Sequence, residues 1–375
     1  MHHRESSVNN FILEEIILKK LLMTPGPTNV PEEIRKKMAE DVIHHRMADY
    51  KKLFTEVSEN LKDFFKTKQE VLTLTCSGTG VMEAAVINLF SKQEKVLVIN
   101  TGNFGQRFVE IASTYELDVI DLKYDWGSTY DLDDIKVVIS ENPDLKGIFM
   151  THSETSTGVL NDIQSVGNLT KDTDILLVVD SVSGMIVNPL EFDDWSLDCV
   201  IAGSQKGFLL PPGLAFIALS EKAKKAMERS NLPKFYFDLK KYIKFLKEKQ
   251  QNPYTPAITL IVGLKCACDL LLEEGLDSIQ AKHTKLRKYL GEELLKLGFE
   301  HFVKDEKARG NTLVAVTHTE IQDMDKFREA VDKNGVSIAG GQGNYAGKLL
   351  RIGCLGKITK IDIDRTIKEI KKNLI

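Results

Sequence analysis

The sequence predicts an α/β fold, in which a large domain with a mostly parallel, seven-stranded sheet precedes a smaller α+β C-terminal domain. Three observations lead to this prediction. The chain has 375 residues, a length typical of about two domains. Seven apolar runs rich in β-branched residues recur before residue 220, and most have few polar interruptions, as in strands buried on both faces. Segments long enough for a helix separate most of the runs, and such alternation is typical of a parallel sheet.

The predicted elements of the large domain follow from this alternation. The seven predicted strands are Val71–Thr75, Lys95–Asn100, Asp118–Leu122, Lys146–Thr151, Asp174–Asp180, Leu197–Ala202 and Gly213–Leu219. Helical stretches between them include Met82–Phe90 and Phe104–Thr114. The prolines of the segment Pro253–Pro256 end the pattern, and a long helical stretch then runs from Ala257 towards Glu274.

After residue 275, helices and short strands are segregated, which indicates a small α+β domain. Its predicted elements are helices at Ser278–Leu297, Asp323–Lys333 and Lys360–Asn373, and strands at Thr312–Thr317, Val336–Ile338 and Leu349–Ile352. We therefore divide the chain into an N-terminal extension (1–20), a large domain (21–275) and a small domain (276–375). The extension repeats apolar residues at helical spacing from Phe11 onwards. We expect it to pack on the body of the protein or on a partner subunit; the alternative is a disordered tail leading into a short helix.

Composition excludes several classes of protein. Lys and Arg number 50, and Asp and Glu number 54, so the formal net charge is −4, without the basic excess typical of nucleic-acid binders. Apolar residues make up 42% of the chain, which is too many for a disordered protein. The five cysteines are scattered, with neither a CxxC pair nor zinc-ligand spacing, so we expect reduced thiols, no metal site and a cytoplasmic location. No apolar stretch is long enough to span a membrane.

Three places in the chain carry residues suited to chemistry. Asp180 ends a predicted strand, where ligands bind in open α/β sheets, although an aspartate there can also cap a helix. Lys206 follows the next predicted strand among small or uncharged neighbours, so its amine could lose a proton and attack a carbonyl carbon; a solvated surface lysine is the alternative. The small-residue turn in Thr75–Glu83 precedes a helix whose free N–H groups would bind phosphate, unless it is a turn without a ligand.

Together, these three features suit pyridoxal 5'-phosphate. The cofactor needs an anchor for its phosphate, a carboxylate beside its pyridine nitrogen and an amine that can bond to its aldehyde carbon. The carboxylate keeps the nitrogen protonated, so that the ring can accept electrons from a substrate. The sequence therefore predicts an enzyme that uses this cofactor.

Further motifs make the prediction more specific. In order along the chain stand Met23–Thr28, Ser77–Gly80, Asn103–Arg107, Thr151–Leu160, Val179–Ser183, Gly203–Lys206 and Arg351–Gly353. From about Leu22 to the C-terminus, the sequence resembles the class V aminotransferases of pyridoxal-phosphate fold type I, in particular their alanine–glyoxylate and serine–pyruvate branch. The resemblance leaves about twenty N-terminal residues without a counterpart.

The resemblance implies roles for the matching residues. Lys206 matches the lysine that binds the cofactor covalently and moves the substrate proton, and Asp180 matches the acid that pairs with the pyridine nitrogen. Phe104 matches an aromatic residue, tryptophan in many members, that stacks on the cofactor ring, and Thr155 matches a hydroxyl residue near that ring. The residues implied to hold the phosphate are Thr79, Gly80, Gln205 and Val81, the last being histidine in some members.

Two further segments complete the implied site. Arg351 matches the arginine whose fork of donors binds the substrate carboxylate, and Gly26 lies in the turn expected beside that carboxylate. Tyr254 and Thr255 match a segment that reaches across a homodimer to the phosphate of the other subunit. The neighbouring prolines leave open whether Tyr254 or only Thr255 makes that contact.

The implied activity is transamination, in which a small amino acid such as alanine or serine donates its amino group to glyoxylate or pyruvate by a ping-pong mechanism. Three alternatives stay open. A cysteine desulfurase or related lyase of the same fold would use Cys354, the cysteine beside the Arg351 motif. A 2-aminoethylphosphonate-type transaminase would take a phosphonate donor. A protein that binds a partner without catalysing a reaction is the third alternative, although such a protein would not need Lys206, Asp180 and Arg351 together.

Overall fold

The structure, a computed structural model, describes residues 20–374. The expected packing of the N-terminal extension lies outside the described residues, apart from Lys20, whose amine pairs with Asp332 at 2.7 Å. None of the helices within 20–374 combines the length and the apolar character that crossing a membrane would require.

Strands and helices alternate through most of the chain. In chain order, the strands are β1 (Leu21–Leu22), β2 (Val71–Leu74), β3 (Lys95–Asn100), β4 (Asp118–Lys123), β5 (Gly147–Thr151), β6 (Ser153–Glu154), β7 (Val159–Leu160), β8 (Leu176–Asp180), β9 (Cys199–Gly203), β10 (Ala215–Leu219), β11 (Glu300–His301), β12 (Leu313–Thr317), β13 (Val336–Ser337), β14 (Ala339–Gly340) and β15 (Leu350–Gly353). The helices are α1 (Glu32–Met38), α2 (Ala48–Phe65), α3 (Gly78–Leu89), α4 (Asn103–Thr114), α5 (Leu132–Glu141), α6 (Ile163–Thr170), α7 (Glu221–Met227), α8 (Leu239–Lys249), α9 (Ile258–Glu274), α10 (Leu276–Lys296), α11 (Met324–Lys333) and α12 (Lys360–Lys372).

The large sheet has the strand order β2-β10-β9-β8-β5-β3-β4. Strand β10 runs antiparallel to both of its neighbours, and all other pairs are parallel. Apolar side chains from α2, α6 and α9 form a core on one face, and those from α3, α4, α7 and α8 form a core on the other. This double cover explains the continuous apolar runs in the sequence. The predicted mostly parallel, seven-stranded sheet is confirmed.

One helix begins earlier than predicted. The seven large-sheet strands lie within two residues of their predicted bounds, but the helix predicted from Met82 begins at Gly78, with Ser77 as its N-cap. The small-residue turn is therefore itself the first turn of α3. Because Gly78 and Gly80 have low helix propensity, the sequence predicts a later start for this helix.

A second sheet, with the order β11-β12-β15-β14, lies in the C-terminal part and is antiparallel throughout. Helices α10, α11 and α12 pack with this sheet around a separate apolar core. Leu21 and Met23 belong to the same core, because β1 pairs in parallel with β13. The division of the chain at residues 20/21 and 275/276 stays a prediction.

The topology determines where a ligand site can form. Strands β8 and β9 are parallel neighbours, and β2 has the same direction because β10 is antiparallel to both β9 and β2. Segments that follow β2, β8 and β9 therefore emerge at one edge of the sheet. In open α/β sheets this carboxyl edge is where ligands bind.

Candidate active site

A cavity of about 210 Å³ lies at the carboxyl edge of the large sheet. It is lined by residues that follow β2, β8 and β9, by the start of α4 and by the N-terminal segment that precedes α1. Seven of the twelve residues predicted for the site line it, namely Gly26, Thr79, Phe104, Thr155, Asp180, Gln205 and Lys206. The structure thus brings together segments that are far apart in the chain.

Lys206 lies in the turn after β9 and is only 9% exposed. Its Nζ donates a hydrogen bond to the carbonyl oxygen of Pro25. A Cβ at Gly26, the residue after Pro25, would come within 2.6 Å of Nζ, so a side chain there would displace the lysine. Burial, together with the charge of Arg351, lowers the pKa of the Lys206 amine to about 8, against an opposing effect of Asp180. The amine is therefore easier to deprotonate than that of an ordinary lysine.

Asp180 is the last residue of β8 and is buried at the cavity wall. Its Oδ1 accepts a hydrogen bond from the backbone N–H of Val182 at 2.8 Å. Burial raises the pKa of the carboxyl group to about 6. The next regular element is β9, so Asp180 does not cap a helix, which was the alternative interpretation from the sequence.

The first turn of α3 opens onto the cavity. Ser77 and Thr79 line the cavity, and no side chain caps the first turn of the helix. Arg107, a further lining residue, donates from Nη1 to Oγ1 of Thr79 at 3.1 Å and lies over the ring of Phe104, 4.7 Å from its centroid. Free helix N–H groups beside a guanidinium form a site suited to an anion such as phosphate. Arg107 received no role from the sequence, although its spacing of three from Phe104 places both on one face of α4.

Five predicted residues do not line this cavity, namely Arg351, which is described below, and Gly80, Val81, Tyr254 and Thr255. A Cβ at Gly80 would lie 2.9 Å from the Cβ of Cys76, on a side of α3 packed against other residues. Val81 is fully buried in an apolar core. The hydroxyl of Tyr254 donates to the carbonyl oxygen of Phe235 at 3.0 Å, and Oγ1 of Thr255 lies 3.4 Å from Nε2 of His45. The chain's own cavity is therefore formed without Gly80 and without the side chains of Val81, Tyr254 and Thr255.

Arg351 lies on β15, just outside the cavity lining. Its Nε donates to the carbonyl oxygen of Gly340 at 2.7 Å, and its Nη1 donates to the carbonyl oxygen of Thr155 at 2.8 Å. Its Nη2 has no hydrogen-bond partner among residues 20–374. Burial lowers the pKa of the guanidinium to about 10, an effect opposed by nearby Glu154. Two backbone carbonyls therefore orient the group and leave donors for a ligand.

Glu154 is a functional candidate that was not recognised in the sequence. It is fully buried, and its carboxylate accepts hydrogen bonds from the backbone N–H groups of Phe104 and Gly105, both at 3.1 Å. It also accepts from the backbone N–H and the hydroxyl of Ser156, at 3.1 and 2.5 Å. A Cβ at Gly102 would lie 2.6 Å from its Cγ, so glycine is needed there. Its signal in the sequence was an acid within the otherwise uncharged run Thr151–Leu160.

Known proteins with similar sequences point to one family. A family model described as Aminotransferase class-V matches residues 21–364. An uncharacterized aminotransferase of Methanocaldococcus jannaschii is 40% identical, covering 90% of this chain and 88% of that protein. The soluble hydrogenase 42 kDa subunit of Anabaena cylindrica is 36% identical, covering 95% and 94%. The serine–glyoxylate aminotransferase of Methylorubrum extorquens is 31% identical, covering 94% and 90%.

A solved structure matches along nearly the whole chain. The alanine–glyoxylate aminotransferase from Nostoc sp. superposes with a TM-score of 0.92 at 27% identity, covering 95% of this chain and 96% of that one. The fold and these matches define a transaminase of the pyridoxal-phosphate-dependent kind. Within that class, the chain belongs to the class V aminotransferase family.

Replacement of Glu154 by glutamine tests its structural importance. An amide would turn one of the two accepting oxygens into a donor that faces backbone N–H groups, so those hydrogen bonds would be lost inside the protein. We expect the free energy of unfolding, measured by chemical denaturation, to fall by about 2–4 kcal/mol.

The exposed Glu141→Gln variant is the matched control and should change stability by less than about 0.5 kcal/mol. Equal stability of the Glu154→Gln and Glu141→Gln variants would show that the buried carboxylate does not hold α4 and the loop at Ser156 together.

Proposed function

We propose that the protein transfers an amino group from a small amino acid, such as alanine or serine, to glyoxylate or pyruvate, with pyridoxal 5'-phosphate as its cofactor. The observation that carries this proposal is the cavity in which buried Lys206, Asp180 and the uncapped first turn of α3 meet. The similarity to proteins named alanine–glyoxylate and serine–glyoxylate aminotransferases supports the choice of substrates.

The donor set of the cavity fits this cofactor. The side-chain amide oxygen of Gln205 is buried without a hydrogen-bond partner in the described part of the chain, and the amide would meet a phosphate by turning its Nε2 donor to that position. Gln205, Thr79 and Arg107 would hold the phosphate together with the first turn of α3, to which Gly80 and Val81 contribute their backbone. The exposed face of the Phe104 ring would stack on the cofactor ring.

Each chemical role falls to a separate side chain. Pyridoxal phosphate supplies a carbon that exchanges amino groups and a ring that accepts electrons from the substrate. Lys206 would bind that carbon through Nζ and, once an amino acid has displaced it, take the proton from the α-carbon of the substrate. Asp180 would hold the proton at the pyridine nitrogen of the cofactor.

Arg351 would bind the α-carboxylate of the substrate. Its Nη2 and the second hydrogen of its Nη1 make no bond to residues 20–374, and they can form a bidentate pair with a carboxylate. Gly26 and Thr155 line the cavity of Lys206, and the carbonyl oxygen of Thr155 accepts from this guanidinium, so both residues would border the substrate. Because one arginine and one lysine would handle both the amino acid and the keto acid, the two would bind in turn, as in a ping-pong mechanism.

The desulfurase alternative receives less support from the position of Cys354. This residue is fully buried and does not line the cavity, and its carbonyl oxygen is bonded to Nδ1 of His283. Burial raises the pKa of the thiol to about 12, which disfavours the thiolate that such chemistry requires. The alternative of a phosphonate donor is tested below by comparing the reaction of 2-aminoethylphosphonate with that of the amino acids. The clustering of Lys206, Asp180 and Arg351 favours an enzyme over a protein that only binds a partner.

We also propose that the protein is a cytoplasmic homodimer. All five cysteines are free thiols, in keeping with a reducing compartment. Phe235, 71% exposed, packs with Tyr236 and Tyr254 in an aromatic surface cluster, and apolar clusters of this kind mark interfaces. Arg46 donates to the carbonyl oxygens of Asn252 and Pro253 and so fixes the chain just before Tyr254 and Thr255. The segment would thus be presented to the cofactor site of a partner subunit.

A half-reaction screen tests the proposed activity. The protein loaded with pyridoxal phosphate would be mixed with single amino acids and with 2-aminoethylphosphonate, and the absorbance of the bound cofactor followed. We expect alanine or serine to convert the cofactor to its amino form and release a keto acid.

The Lys206→Ala variant should react at least about 10³-fold more slowly, because it lacks the base. Lys225→Ala, which changes an exposed lysine on α7, should react as fast as the wild type. Full turnover by Lys206→Ala would refute the assigned role, and a response only to the phosphonate would refute the substrate class.

The Arg351→Lys variant keeps the charge but loses the planar fork of donors. We expect KM for both the amino acid and the keto acid to rise by about 10–100-fold, with a smaller change in kcat, because a bidentate pair with the carboxylate is lost. Steady-state kinetics with each substrate varied in turn measure this. An unchanged KM for both substrates would show that another group binds the carboxylate.

The pH dependence of cofactor attachment follows from the pKa of Lys206. Only the unprotonated amine attacks a carbonyl carbon, so covalent attachment of pyridoxal phosphate to the cofactor-free protein should accelerate as the pH rises, with a midpoint near the pKa of about 8. Reduction with borohydride followed by mass spectrometry at each pH gives the rate and the labelled residue. A midpoint above pH 10, as for an ordinary lysine, would contradict the effect of burial on this amine.

A charge in the aromatic cluster tests the homodimer. Sedimentation of the wild type should give about twice the mass of one 42.2 kDa chain. The Phe235→Asp variant should dissociate and lose its cofactor more readily, since Thr255 would leave the partner's site. Leu295→Asp, a matched change of an exposed leucine on α10, should do neither. A wild-type monomer with full activity at the assay concentration would exclude the proposed cross-subunit contact.

A further inference from the structure

A small basic pocket separate from the active-site cavity lies between the C-terminal part of the chain and Gly158, which follows the cavity residue Thr155 in the chain. Arg287 on α10, His301 on β11 and Arg309 bring their side chains to this basic pocket, and apolar atoms of Val303 and Leu313 complete its wall. None of these residues lines the cavity that holds Lys206. The proposed transamination therefore does not explain why two guanidinium groups and an imidazole converge here.

Arg287 lacks any partner within the described residues. The residue is only 7% exposed, and neither a hydrogen bond nor an ion pair joins its guanidinium to residues 20–374. Its Nε is wholly buried without an acceptor. An unpaired buried cation is strongly destabilising, and burial accordingly lowers the pKa of this group. An anion bound in the pocket would compensate the buried charge of Arg287.

The surrounding charges also favour an anion. Arg309 is held in place because its Nε and Nη2 donate to the carbonyl oxygens of Val303 and Lys304 at 2.8 and 2.9 Å. The ring of His301 packs on Gly291, where a Cβ would lie 2.8 Å from Cε1. Burial, Arg309 and Arg287 together lower the pKa of His301 to about 4. The charges around the pocket are therefore mostly positive.

The acidic groups nearby do not neutralise the pocket. Glu306 is exposed and lies 3.4 Å from the amine of Lys288, with which it pairs at the surface. Cys354, also near Arg287, is fully buried, and burial keeps its thiol protonated by raising its pKa to about 12. Neither group gives Arg287 a hydrogen-bonded counter-charge.

The size of the pocket selects the kind of anion. Its free volume is about 10 Å³, the room that one water molecule or one monatomic ion needs. A phosphate ion would not fit in this volume. We propose that the basic pocket binds a single halide ion, chloride under cellular conditions, held by the guanidinium of Arg287 with His301 and Arg309. This site is separate from the proposed active site, and its occupant would stabilise the small sheet and α10.

Bromide provides a direct test, since it replaces chloride and scatters X-rays anomalously. Crystals of the full-length protein soaked in sodium bromide should show an anomalous peak within hydrogen-bond distance of the Arg287 guanidinium. A water molecule without anomalous signal at that position, or an empty pocket, would overturn the proposal. This measurement uses the wild-type chain and does not depend on whether any variant folds.

A solution test compares the thermal midpoint in sodium chloride with that in sodium gluconate at equal ionic strength. The wild-type midpoint should rise by about 2 °C when chloride reaches about ten times its Kd. The Arg287→Met variant should lose this dependence and, in gluconate, be at least as stable as the wild type, because the unpaired charge is gone. Lys285→Met, which removes an exposed charge from the same helix, should keep the dependence. An equal chloride effect in the wild type and in Arg287→Met would overturn the proposal.

Glu306 is the one carboxylate near the pocket, among the described residues, that could turn inwards and occupy it. The Glu306→Gln variant distinguishes a pocket occupied by a halide ion from a pocket occupied by the carboxylate of Glu306. A chloride effect in both the wild type and Glu306→Gln supports a halide site in the native protein. A chloride effect that appears only in Glu306→Gln would show that the carboxylate already pairs with Arg287, and the proposal would fail.

Discussion

A buried carboxylate at the start of a helix joins the parts of the candidate active site. Glu154 accepts the first backbone N–H groups of α4 and so fixes Phe104 and, one turn later, Arg107. The same carboxylate bonds Ser156, next to the carbonyl of Thr155 that orients Arg351. The buried negative charge is tolerable because four donors, the helix dipole and a nearby guanidinium surround it. Three elements that are distant in sequence share this anchor.

The electrostatics of the site depend on which buried charges have a partner. Lys222 lies 2.8 Å from the carboxylate of Asp198 and forms an ion pair with it. Lys206 is more deeply buried and has a carbonyl oxygen, not a carboxylate, within reach. A carbonyl accepts a hydrogen bond but does not compensate the charge, so the protonated form is disfavoured. Two lysines of one domain thus differ both in burial and in the presence of a carboxylate partner.

Much of this arrangement could be predicted from the sequence, because topology alone places strand ends. Buried strands leave continuous apolar runs, and the residues after them, Asp180 and Lys206, meet at one sheet edge whatever the packing detail. The orientation of Gly80 and Val81 could not be predicted, because α3 begins four residues before its predicted start and this determines the helix face on which they lie. Glu154 was not recognised because its donors on α4 lie about fifty residues away, and no local sequence pattern indicates such a pairing.

The segment that precedes α1 has a consequence for the order in which the chain can mature. Leu21 donates its backbone N–H to Gly335, and Met23 accepts from the N–H of Gly353, while Thr28 bonds to Gln205. Residues that are synthesised early can therefore form these hydrogen bonds only after their partners, which come much later in the chain, have been synthesised. Until β15 has emerged, the segment that carries Pro25 lacks the hydrogen bond from Gly353 to Met23. Contacts between residues so far apart in the chain form slowly. The complete active site therefore forms late in folding, after the small sheet has been synthesised.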